Sequence, residues 1–161
     1  MKKRFNKDAF LLATFILFSL SLCALFAMTL PGVELSYKNA SDSNIKIDGL
    51  FAVFGGEPEI RGVVYHFRFN IISLLSYLFP IIGSIIGIFA FKKVNKISYF
   101  ISGIFCFLGG ILIFMEPLFF IYVNHFQFTF NASLLFGPII GAIFAMISGF
   151  IGIGCGIKID K

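Results

Sequence analysis

Polar positions along this chain are gathered into a few short stretches, and between them run four long segments that carry no charge, at 9–30, 70–91, 97–115 and 132–157. Each reaches the roughly 18 to 20 residues that a helix needs to cross a hydrocarbon core about 30 Å thick. Helix is the required form, because lipid offers a backbone N–H or C=O no partner outside its own segment. The pattern predicts four transmembrane helices over 9–30, 70–91, 97–121 and 132–157, the third drawn beyond its charge-free run. Pro80 is placed to kink the second, and Pro138 falls in the first turns of the fourth.

Between 31 and 69 the period changes. Val63, Tyr65, Phe67 and Phe69 fall on one face, and Val64, His66 and Arg68 on the other. That alternation belongs to a half-buried strand. "VELSY" (33–37) and "IKI" running into "LFAVF" (45–54) read as further strands, and "GGEPE" (55–59) as a hairpin connection. A lone hairpin is marginal in water, so a sheet of two or three strands would rest on the helix ends. The expected fold class is an all-α membrane protein: a four-helix bundle with a small extracellular antiparallel sheet or hairpin between the first two helices. The remaining pieces are an inner link at 92–96, a short outer loop at 122–131 and a tail at 158–161.

Composition agrees. The 161 residues are 58% hydrophobic and only 13% charged, against about 45–50% and about 25% in soluble domains. Lipid is the first expected partner. Twenty-four Phe and no Trp, with abundant Ile, Lys and Asn, point to an AT-rich bacterial genome. The net charge of +5 does not indicate nucleic acid, because the cations sit beside the apolar runs. Lys2, Lys3, Arg4 and Lys7 precede the first span, Lys92, Lys93 and Lys96 fill the inner link, and Lys158 and Lys161 follow the last. The opposite side has Lys38, Lys46, Arg61 and Arg68. The positive-inside rule then places both termini in the cytoplasm of a plasma-membrane protein. Tyr99 and Tyr122 bracket the third span as interfacial anchors would. The first span is expected to stay on as an uncleaved anchor, since it is long for a signal peptide and lacks a small-residue cleavage site.

Candidate chemistry is sparse. Cys23, Cys106 and Cys155 lie in apolar runs without metal-ligand or CxxC spacing. No GxSxG, HExxH, Walker A or strand-to-helix GxGxxG occurs, and "GIGCG" (152–156) lies inside the last span. No catalytic residue, metal or cofactor is expected. Asn39-Ala-Ser and Asn131-Ala-Ser match glycosylation sequons by coincidence in a bacterial chain. Glu116, near the outer end of the third span, is expected at the same level as His66, Arg68 and His125. These residues could form an outward polar cluster, with Glu116 paired to Arg68. Gly137, Gly141, Ala145 and Gly149 recur every four residues, a ridge on which another backbone can approach closely. It serves either packing within the bundle or a homo- or hetero-oligomer. Phe51, Phe54, Glu57, Glu59, Arg61 and Tyr65 are the candidate outer recognition residues.

The order of four spans, a long β-rich first loop and a short second one resembles the claudin arrangement, with "GLF" (49–51) similar to the Gly-Leu-Trp of that family's first loop. The Trp is Phe here and the loop lacks the family's cysteine pair, so the likeness implies topology alone. "MTLPG" (28–32), "AVFGGEPE" (52–59), "GPIIGAI" (137–143) and the Lys-rich link resemble small four-span proteins of Firmicutes-like bacteria, a group without an assigned activity. Four-span drug exporters carry an acidic residue in helix one and four-span thiol oxidoreductases carry outward cysteine pairs; this chain has neither. The expected function is a non-enzymatic structural, sensory or accessory membrane subunit, with a small oligomeric transporter or channel component as the alternative.

Overall fold

The computed structural model describes residues 7–38, 44–126 and 129–159. Lys2, Lys3, Arg4, Lys161 and the Asn39 sequon lie outside them. In chain order the elements are α1 (Lys7–Phe26), which ends in a 3-10 turn (Ala27–Thr29), then β1 (Pro31–Tyr37), β2 (Ile45–Asp48), α2 (Gly49–Phe54), β3 (Glu59–Ile60) and β4 (Val63–Val64). There follow α3 (Ile71–Lys93), α4 (Lys96–Phe114), α5 (Glu116–Val123), β5 (Phe130–Leu134) and α6 (Phe136–Lys158). Among the described residues four helices are long and apolar enough to cross a membrane: α1 with its 3-10 turn, α3, α4 and α6.

These four form a closed ring. α1 packs on α3 and α6, and α4 packs on the same two from the other side. Small residues set the spacing. A Cβ on Gly103 would meet the Gly149 carbonyl at 2.7 Å, and one on Gly152 would meet the Gly103 Cα at 2.8 Å, so α4 and α6 touch backbone to backbone. Gly109 leaves room for the Pro80 ring, and Gly83 for Cys106 and the Ser102 carbonyl. The sequence ridge is therefore turned inward. Gly137 and Gly141 face the end of α1, and Gly149 faces Gly103 and Phe107. Ala145 is fully buried among Ala24, Tyr77 and Ile113.

Hydroxyls inside the ring bond mainly to one another and to carbonyls. Thr14 donates to the Phe10 carbonyl, so the Tyr99 hydroxyl, 2.8 Å away, donates to Thr14. Ser21 and Ser148 lie 2.9 Å apart and converge on the Leu17 carbonyl. Tyr99 is thus a core residue of the bundle, not the interfacial anchor expected, because its ring fills the gap between α1 and α4. Tyr122 is highly exposed.

At the end of the ring opposite Lys92 and Lys93 sits a three-stranded antiparallel sheet in the order β2-β1-β5. Val33, Leu35, Ile45, Ile47 and Phe130 come together with Ala52, Phe67 and Phe120 in a second hydrophobic core. Two boundaries differ from expectation. Residues 130–134, read from their lack of charge as bordering and entering the fourth span, pair with β1 instead, Val33 opposite Leu134 and Tyr37 opposite Phe130. The third span stops at Phe114, and α5 follows as a separate helix, since Pro117 has no N–H with which to continue the ladder.

Two local forms also differ. "LFAVF" is helical: Gly49, Ala52 and Val53 are buried while Leu50 and Phe54 are exposed, a spacing of three and four. The hairpin turns at Arg61 and Gly62, both at positive φ (54° and 77°), as a two-residue type I′ loop requires; Gly55 caps α2, and Gly56 to Ile60 form the first arm. Ile60 faces Val63, Glu59 faces Val64, and Gly56 bridges to Phe67 in the same register. The alternation of 63–69 is thus one arm of a hairpin over 56–67, whose ladder loses one donor at Pro58.

The backbone contacts give a direct test. Gly103→Leu or Gly149→Leu forces helices apart that now touch, and is expected to cost about 1–3 kcal/mol. Gly154→Leu, with open space around it, is expected to be neutral. Thermal unfolding of the detergent-purified variants distinguishes them, and equal behaviour of all three would contradict the internal seam.

Candidate functional site at the sheet end

Glu116 opens α5 where the ring meets the sheet core. It is 1% exposed. The Tyr77 hydroxyl donates to its Oε2 at 2.8 Å, while Oε1 has no hydrogen-bond partner. Tyr77 lies on α3 one turn beyond Ser73 and two beyond Asn70. Side chains on a helix lean toward its N-terminus, so the Tyr77 hydroxyl reaches back over the Ser73 turn. Asn70 caps α3, its Oδ1 accepting from the Ser73 amide at 3.1 Å. Asn70 Nδ2 and Ser73 Oγ are buried without partners as well. The Glu116 carboxyl and the Tyr77 phenol thus form one buried pair, and the Ser73 hydroxyl and the Asn70 amide are buried at the start of α3.

Burial raises the Glu116 carboxyl from its ordinary value to about 7, against the smaller lowering effect of the Tyr77 hydrogen bond. Deep in an apolar surround the neutral form is favoured. A carboxyl held at such a value changes its charge near neutral pH.

The other residues of the expected cluster lie elsewhere. The Arg68 backbone amide donates to Asn124 Oδ1 at 2.8 Å. Asn124 caps the far end of α5, eight residues or about 12 Å of helix beyond Glu116. The Arg68 side chain is exposed. His66 Nδ1 lies 3.0 Å from Glu57 Oε1 with both side chains largely exposed, as a directly opposed pair on the hairpin; such a pair contributes little to stability. His125 follows Asn124, exposed and at φ 58°. Glu116 takes Tyr77 as its partner, Arg68 and His125 adjoin the other end of α5, and His66 is on the hairpin. Among the described residues no three His, Cys, Asp or Glu side chains come together as metal ligands.

The hairpin residues are graded in depth. Phe67 is buried edge-on to Phe120 at 5.2 Å, and Tyr65 stacks on Phe67 at 6.1 Å. Burial, and then a hydrogen bond with Tyr37, hold the Tyr65 hydroxyl above its ordinary value. Phe51 is half-buried against the sheet core. Glu57, Glu59, Arg61, Val63 and Val64 are exposed, and Phe54 stacks on Phe69 at 6.4 Å. Tyr77, Asn70 and Asn124 carry the local geometry, yet the sequence reading did not single them out as site residues. Only Asn70 had a visible signal, as a capping residue immediately ahead of an apolar run. Compared with known protein families and with curated proteins, the chain matches none.

The Glu116 carboxyl makes stability depend on pH with a defined sign. Its folded pKa lies above the unfolded one, so its contribution is complete below about pH 4.5 and is lost as pH rises through about 7. The loss is at most about 3 kcal/mol. The thermal midpoint in detergent is expected to be higher at pH 5 than at pH 8. Glu116→Gln, which keeps the shape and stays neutral, is expected to remove most of that difference.

Proposed function

We propose that the protein is a non-enzymatic, multi-pass membrane subunit, structural, sensory or accessory in role, whose working surface is the 56–67 hairpin. In this reading the Lys-rich end is cytoplasmic and the sheet end is extracellular, as the positive-inside rule requires. One observation carries the proposal: the hairpin is anchored by Phe67 in the sheet core while its tip presents Glu59, Arg61, Val63 and Val64 to solvent. A mixed apolar and charged tip on a rigid stem suits recognition of another protein, because little order has to be gained on binding.

The transporter alternative has weaker support. Ser21, Ser148, Thr14 and Tyr99 are hydrogen-bonded to each other or to carbonyls at contact distance. A conduit would then have to lie between protomers. An enzyme using Glu116 is disfavoured by the separation of Glu116 from His66, Arg68 and His125 along α5.

A photo-activatable residue at Val64 is expected to cross-link a discrete partner in native membranes, whereas one at the helix surface, at Ile104, is not. Reversing the tip charges (Glu59→Lys with Arg61→Glu) is expected to abolish that cross-link without changing the thermal midpoint. An unchanged cross-link after charge reversal would sink the proposal.

A further inference from the structure

α2 lies across the rim of the bundle, tied at both ends to span termini. The Gly49 amide donates to the Leu30 carbonyl at 2.9 Å, just past the end of α1. The Asn70 amide donates to the Val53 carbonyl at 2.8 Å, at the cap of α3. Neither attachment tolerates slack. A Cβ on Gly49 would collide with the Met28 carbonyl, and one on Gly55, at φ 72°, would meet the Phe67 carbonyl at 2.6 Å. α2 is therefore held at the level where α1 ends and α3 begins.

Its buried positions face this attachment, and its outward face is apolar. Leu50 and Phe54, one turn apart, are 41% and 48% exposed. Phe69, stacked on Phe54, is 51% exposed and Ile71 50%. Ile72 and Leu75 continue the exposed apolar surface down α3, and Phe26 and Leu30 do so at the end of α1. The patch is thus unbroken with the surface that the spans turn to lipid. No acidic or basic side chain lies between 49 and 54.

From this we infer that α2, with Phe69, is an interfacial lip embedded at the headgroup–acyl boundary of the bilayer leaflet at the sheet end. Aromatic and aliphatic groups at that depth exchange water for acyl chain, while the backbone of α2 stays bonded within the protein. The lip fixes the height and tilt of the sheet above the membrane. It also takes Phe54 out of the recognition surface and leaves the hairpin tip free. The inference rests on the membrane reading and not on the hairpin's having a partner, so each can fail without the other.

The absence of Trp from the chain makes the test clean. Single variants Phe54→Trp, Leu50→Trp, Ile82→Trp and Lys46→Trp are reconstituted in phosphatidylcholine vesicles brominated either high on the acyl chain or near its end. Phe54→Trp and Leu50→Trp are expected to be quenched at least about twofold more by the shallow bromines than by the deep ones, as interfacial groups are. Ile82→Trp, on the exposed face of α3 within the span, is expected to show the reverse, and Lys46→Trp neither. Two positions in α2 guard against one variant failing to fold. Unquenched emission like that of Lys46→Trp would place α2 in water. Unquenched but blue-shifted emission would place it under a second copy. Either result overturns the inference.

Discussion

The close approach of α4 and α6 is the constraint on which the other contacts depend. Lipid tails are as apolar as Leu, so helices in a bilayer are not driven together by loss of water; packing and a few hydrogen bonds hold them. With Gly103 against Gly149 and Gly152, the two backbones come near enough for dispersion to act along the whole contact. The same economy of side chain recurs where Gly109 receives Pro80 and where Gly83 receives Cys106. Once these distances are short, the hydroxyls on facing helices are forced into reach of one another. Ser148 of α6 reaches the Leu17 carbonyl of α1, and Tyr99 of α4 reaches Thr14 of α1, and each such bond adds on the order of 1 kcal/mol.

Helix spacing also decides the sheet. β1 leaves the end of α1 almost directly, and β5 leads into α6, with the Leu135 amide bonded to the Gly32 carbonyl at 3.0 Å. Because α1 and α6 are neighbours, the two strands emerge side by side and pair. β2 adds to the free edge of β1. Phe67 and Phe120 then close the sheet core against α5, meeting edge to face at 5.2 Å. The described parts of the two segments between spans, 31–38 and 44–69 with 115–126 and 129–135, thus form one structural layer, to which Phe67 ties the hairpin.

The spans were legible because the membrane imposes one rule over about 20 residues at a time, and lack of charge is easy to see at that length. Shorter elements obey rules that compete. "FNASL" carries no charge, so it merges visually with the fourth span, yet its partner is β1. "GLFAVF" contains β-favouring residues, but the burial of Gly49, Ala52 and Val53 follows a helical spacing that six residues barely display. The alternation from Val63 marks a hairpin arm, yet only Tyr65 and Phe67 turn inward while Val63 and Phe69 are exposed, and the turn falls at Arg61, since Arg at positive φ is an uncommon choice for a type I′ loop. Glu116 was noticed as an isolated acid near a span, but its Tyr77 partner lies 39 positions away. Nothing local to either residue encodes that distance.

Local preferences are broken in more than one part of the molecule. Within the ring, the buried hydroxyls of Thr14, Tyr99, Ser21 and Ser148 all have partners, while at the Lys end Val94, β-branched and at φ 47°, caps α3 with its amide bonded back to Phe91. At the sheet end, Arg61 and His125 occupy left-handed backbone without being glycine, and Glu116, Asn70 and Ser73 hold unpartnered polar atoms in the interior. Each such departure costs on the order of 1–3 kcal/mol. Departures of this size tend to gather where a structure is shaped for something other than its own stability. Ser102, unpartnered in the first two turns of α4, and Val94 are departures toward the Lys end. Among the described residues, three of the four side chains that bury an unpartnered polar atom, Asn70, Ser73 and Glu116, belong to the start of α3 and the start of α5, so the junction of the spans with the sheet layer holds polar atoms that helix packing alone does not require.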